Sequence, residues 1–130
     1  MKLTVSANDS VSDVLSETEA ALNGVAEDII HECQIIIDEF MANMKHHVFP
    51  ATPATEWTLE LEKTQTGVTI KFRYAGKKFD PASACGYVAD CPIERRDIGG
   101  LGLILIYSLS DDQHFNYLNG MNEWTIKKHF

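Results

Sequence analysis

From about Val25 to His47 the apolar residues Ile29, Cys33, Ile36, Phe40 and Met44 recur at three- and four-residue steps. That is the spacing of one face of an α-helix, and a stripe this long needs a broad apolar surface to lie on. Downstream segments supply one. "WTLELEK" and "GVTIKFRY" alternate apolar and polar residues on either side of "TQTG", the pattern of an antiparallel hairpin, and "HFNYL" and "NEWTIKKHF" repeat it across "NGMN". Asn119-Gly120 in that second connection is a strong hairpin-turn dipeptide. A short first strand in "KLTVS", a helix in "SVSDVLSETEAAL" capped by Asn8 or Ser10, and a third helix in "GGLGLILIYSLSD" complete the chain. The expected class is α+β: a two-layer α/β sandwich with a mixed, mostly antiparallel sheet and helices on one face.

Nothing in the chain asks for more than one domain. Its 130 residues, 45% of them hydrophobic, carry no internal repeat, low-complexity tract or Gly/Ser linker, and residues 1–130 read as a single unit. A formal charge of -8 excludes a general binder of phosphate backbones, which needs clustered cations. The start "MKLTVSANDS" lacks the apolar core of a signal peptide, and "LGLILIY" is too short to cross a bilayer. The expectation is a cytoplasmic protein that meets neither nucleic acid nor membrane directly. Cys33, Cys85 and Cys91 form no C-x-x-C pair, so neither a disulfide framework nor a zinc knuckle is supported. Trp57 and Trp124 fall in alternating strands and read as sheet packing.

Two features point to chemistry. Glu39, Asn43 and His47 follow at steps of four, so they share one face of the long helix, polar inside an otherwise apolar element. Solvation alone accounts for such a face. A carboxylate and a carboxamide one turn apart also suit a magnesium-nucleotide site, with the amide oxygen on the hard cation and the carboxylate on a nucleophile. The second feature is "IGGLGLILI", where Gly99, Gly100 and Gly102 open the third helix at a cost of roughly 1 kcal/mol each in helix preference relative to Ala. Either a neighbour packs closely there, or bare backbone N–H groups at a helix start hold an anion. The long, aperiodic segment from about Ala75 to Ile98 precedes this helix and reads as a lid.

Taken in order, "DEFMANMKHHV", "YAGKKFDP" and "ERRDIGGLGLILI", with a hairpin between the first two, resemble the GHKL (Bergerat-fold) ATPase domain. Within that superfamily the chain most resembles the small anti-sigma-factor serine kinases of bacterial partner-switching systems. The resemblance covers nearly the whole chain. It implies ATP and Mg2+ as cofactors, Glu39 as general base, Asn43 as magnesium ligand, and His47 at the trailing position of the same box. It assigns Gly99, Gly100, Leu101, Gly102 and Leu103 to the phosphate-wrapping glycine box and Gly76 to the glycine of the adenine box. The family's Asp two residues before that glycine, which accepts from the adenine amino group, is replaced here by Tyr74. Arg95 and Arg96 precede the glycine box, and a guanidinium there suits phosphate oxygens; Arg96 is counted with the nucleotide-binding residues.

The resemblance therefore implies an ATP-dependent serine/threonine protein kinase that serves as an anti-sigma factor. Its partners are then a sigma factor and an anti-anti-sigma (STAS-type) protein, with room for a homodimer. The competing expectation is a degenerate binding module of the same fold that captures a protein partner without nucleotide. A sensor histidine kinase catalytic domain acting in trans is a weaker third reading.

Overall fold

The structure, a computed structural model, describes residues 1–45, 55–78 and 100–130. Along the chain the elements are β1 (Lys2–Val5), α1 (Val11–Ala21), α2 (Glu27–Asn43), β2 (Trp57–Lys63), β3 (Gly67–Ala75), α3 (Gly100–Leu109), β4 (Asp112–Leu118) and β5 (Met121–His129). The five strands form one sheet in the order β1-β2-β3-β5-β4. Every pairing between them is antiparallel, so the sheet is not mixed among the described strands. The three helices cover one face, with α2 in the middle, packed against α1 on one side and α3 on the other.

Period-two alternation decides which side chains meet the helices. On β3 these are Val68, Ile70, Phe72 and Tyr74; on β2, Trp57, Leu59 and Leu61; on β5, Asn122, Trp124, Ile126 and Lys128. From above, α2 lowers Cys33, Ile36, Ile37, Phe40, Met41 and Met44 onto them. Both tryptophans lie in this core. Phe40 stacks on Phe72 with ring centroids 3.9 Å apart and 5° between planes, and it meets the edge of Trp57 at 5.0 Å. The opposite sheet face carries charge, with Lys2 near Glu60 and Arg73 and Lys71 around Glu123.

Both hairpins follow from local chemistry. Asn119 and Gly120 adopt φ of 55° and 74°, two consecutive positive values that match the right-handed twist of the flanking strands. At the β2–β3 turn the Thr64 hydroxyl accepts from the Gly67 N–H at 3.1 Å, and the Thr64 N–H donates to the Gly67 carbonyl at 2.8 Å. Gly67 is required there by space: a Cβ would stand 2.0 Å from the Lys128 carbonyl oxygen on the neighbouring strand. Ser10 occupies the N-cap of α1 but makes no side-chain capping bond.

Candidate functional site

The two flanks of α2 are distinguished by their partners. Gln34 donates from Nε2 to the Leu15 carbonyl of α1 at 3.1 Å, so its flank faces α1. Asp38, Met41 and Lys45 continue that flank at steps of three and four. Glu32 lies on the other side and pairs with Lys128 of β5, whose ammonium also donates to the carbonyl of Leu109, the last residue of α3, at 2.5 Å. Stepping from Glu32 by four, three and four gives Ile36, Glu39 and Asn43. Glu39 and Asn43 therefore belong to the flank of α2 that faces α3.

The same ammonium orients the whole layer. Its contacts tie Glu32, early in α2, to the C-terminal end of α3, and because α3 packs along α2, its ten residues run back from there and its first turn lies towards the Asn43 end. Lys128 stands opposite Val68 at the start of β3, whereas Tyr74 near the end of β3 stands opposite Asn122. The six residues from Val68 to Tyr74 advance about 20 Å along the strand. The eleven from Glu32 to Asn43 advance about 16 Å along the helix. Tyr74 accordingly lies at the Phe40–Asn43 end of α2, and its ring centroid is 6.4 Å from that of Phe40. By this geometry three element ends fall at the same end of the layer: the C-terminal half of α2 with Glu39 and Asn43, the end of β3 with Tyr74 and Gly76, and the first turn of α3 with Gly100, Leu101, Gly102 and Leu103.

Each end has a defined environment. Asn43 is 5% exposed, an amide enclosed within the layer. Glu39 is half-buried, and its pKa is raised, first by desolvation and then by the charge of neighbouring Asp38. Tyr74 is 7% exposed, and its hydroxyl has no hydrogen-bond partner among the described residues. Burial pushes that phenol up to about 12. Gly76 follows at φ 146°, with nothing within 4 Å of where a Cβ would stand. Its N–H donates to the Gly120 carbonyl at 2.9 Å, and its carbonyl accepts from the Tyr117 hydroxyl at 2.8 Å. Asn122 donates from Nδ2 to the Lys77 carbonyl at 3.0 Å.

The β4–β5 hairpin thus anchors the end of β3, a role that the sequence reading missed. Part of the signal lay in the Asn119-Gly120 turn, whose register sets Tyr117 opposite Asn122, while the β3–β5 pairing sets Asn122 opposite Tyr74. His47, Arg96 and Gly99 lie outside the described residues. A cleft of about 310 Å³ lined by Ser6, Asp9, Asp38, Met41, Lys45 and Trp57 lies at the same end of α2 but on its α1 flank, with Trp57 paired to Tyr74 across the sheet. No cluster of metal-ligating side chains occurs among the described residues, and no described helix is long and apolar enough to cross a membrane.

Compared with known families, the chain matches the model of the histidine kinase-like ATPase domain over residues 4–128. It belongs to the histidine kinase-like ATPase family. No curated protein matches its sequence. The ATPase family generally binds ATP with Mg2+, and this member's residues meet that requirement unevenly. An enclosed amide, a carboxylate one turn away and the N-terminal turn of a ten-residue helix, whose first N–H groups have no partner within the helix, are groups of the kind that magnesium and phosphate need. At Tyr74, where the resemblance implies a carboxylate, this ATPase domain has a neutral phenol whose hydroxyl is buried and has no partner among the described residues.

Proposed function

We propose that this histidine kinase-like ATPase domain is an ATP-binding anti-sigma regulatory factor with a serine protein kinase-type site, acting in a partner switch. The reading is supported by the placement of Glu39 and Asn43 on the α3 side of α2, at the end of the helix layer where α3 begins. Asn43 would hold Mg2+ through its amide oxygen, and the bound ion would neutralise phosphate charge. The N–H groups of Gly100 to Leu103 donate to phosphate oxygens, with Gly99, Arg96 and His47 completing the nucleotide contacts in this assignment. Glu39 acts at its carboxylate as the base. A partner serine Oγ forms a bond to the γ-phosphorus as the bond from that phosphorus to the ADP oxygen breaks, and the hydroxyl proton passes to Glu39. The raised pKa makes Glu39 a stronger base than an exposed carboxylate. The proteins it would act between are a sigma factor and a STAS-type anti-anti-sigma protein, the serine being on the latter.

One observation favours a second reading. The Tyr74 ring lies in the buried aromatic layer beside Phe40, where it can fill space that a base would enter, as expected of a binding module that captures its partner without nucleotide. Labelled transfer separates the two. With γ-labelled ATP, Mg2+ and a purified STAS-type protein, the kinase reading predicts label on a serine of that protein and its loss with Glu39→Gln. A stable complex that forms without nucleotide and acquires no label would replace the kinase by the capture module.

A further inference from the structure

The Tyr74 hydroxyl is enclosed, stays protonated throughout the physiological pH range, and has no partner among the described residues. A buried polar group left in that condition has an unmet hydrogen bond that a ligand can supply. Its place is also specific. It lies two residues before Gly76, whose side-chain position is open and whose backbone is held on both sides by Gly120 and Tyr117, and at the same end of the layer as Asn43 and the α3 N-terminus. We infer that Tyr74 reads the base of the bound nucleotide and accepts adenine and guanine alike, so that this chain takes ATP and GTP with comparable affinity. The inference rests on the nucleotide-binding reading above and adds its base selectivity.

The reasoning is hydrogen-bond inventory. Adenine presents an amino donor at the purine edge where guanine presents a carbonyl acceptor. An ionised carboxylate only accepts, so it pairs with the first and repels the second. A neutral phenol both donates and accepts, and its hydroxyl rotates to suit either partner. Replacing the acceptor-only group by Tyr74 therefore removes the electrostatic penalty against guanine while retaining one hydrogen bond to either base.

Isothermal titration of wild-type protein with ATP and with GTP, each with Mg2+, tests this directly, alongside Tyr74→Phe and Tyr74→Asp. The expected wild-type dissociation constants agree within about threefold. Tyr74→Phe, which keeps the ring and deletes the hydroxyl, weakens both nucleotides by a similar factor of roughly 2 to 12, the loss of one neutral hydrogen bond. Tyr74→Asp, if circular dichroism shows it folded, shifts selectivity towards ATP by tenfold or more. Wild-type protein that prefers ATP by more than about 30-fold overturns the inference but leaves ATP binding intact. So does a Tyr74→Phe variant that binds both nucleotides unchanged. Wild-type protein silent to both nucleotides overturns the nucleotide reading itself, and the inference with it.

Discussion

Tyr74→Phe in the nucleotide-free protein should make the fold more stable. Phe retains the ring that packs beside Phe40 and removes only an oxygen that is enclosed and unpaired among the described residues. A buried hydroxyl with no partner costs about 1–3 kcal/mol in lost hydration, and an apolar replacement of the same shape recovers part of it. Taking about 1 kcal/mol as recovered, the expected rise in melting temperature follows from the unfolding entropy. At about 2.1 cal/mol/K per residue, 130 residues give about 270 cal/mol/K, so 1 kcal/mol corresponds to about 4 °C. Scanning calorimetry on both proteins without nucleotide reads this shift, and urea unfolding gives the free energy independently. With saturating nucleotide the advantage should shrink, because the wild-type hydroxyl then has its partner and tighter binding adds more stability. A variant that melts several degrees below wild type without nucleotide would refute the reasoning, since it would show that the hydroxyl already holds a stabilising bond in the free protein.

Glu39→Gln should abolish label transfer and also alter the pH dependence of stability. Folding raises the Glu39 pKa, so the native state holds that proton more tightly than the unfolded chain, and the side chain costs stability as pH rises above its ordinary value of 4.5. Urea unfolding should find the variant more stable than wild type at pH 7, with the gap closing as the pH is lowered below 4.5. Lys128→Met strands the Glu32 carboxylate and the Leu109 carbonyl; a loss of roughly 2 kcal/mol in urea unfolding is expected, less than for a fully enclosed pair because a third of Glu32 still reaches water. Gly102→Val places a branched side chain where phosphate approaches the first turn of α3 in the proposed site, and calorimetric titration with ATP should show at least tenfold weaker binding. Unchanged affinity in that variant would return the glycines to a packing role.

The parts of this fold that the sequence discloses are those governed by short-range patterns. The Ile29–Met44 stripe is helical because its apolar steps match 3.6 residues per turn, and the two hairpins are readable because alternation and Asn119-Gly120 both act locally. The same spacing shows that Glu39 and Asn43 share a face, but it does not show which neighbour that face meets. That depends on Lys128, a cation that lies on the helix side of β5 and joins Glu32 to the end of α3. The purely antiparallel order was likewise not legible, because β1 pairs with β2 across a long stretch of intervening chain. Nor was the role of Tyr117 and Asn122 in anchoring Gly76 and Lys77, which appears only once β5 is laid beside β3.

The central claim is one of place: nucleotide binds where α2 ends, β3 ends and α3 begins. Two-dimensional amide NMR of the isotopically labelled protein during titration with ATP and Mg2+ maps that place residue by residue. Saturable shifts should concentrate at Asn43, Tyr74, Gly76 and the first turn of α3, leaving Val68 and Lys128 at the far end of the layer unmoved. Shifts gathered instead around Ser6, Asp9 and Asp38 on the opposite flank of α2, or a spectrum unchanged by ATP, would contradict the account.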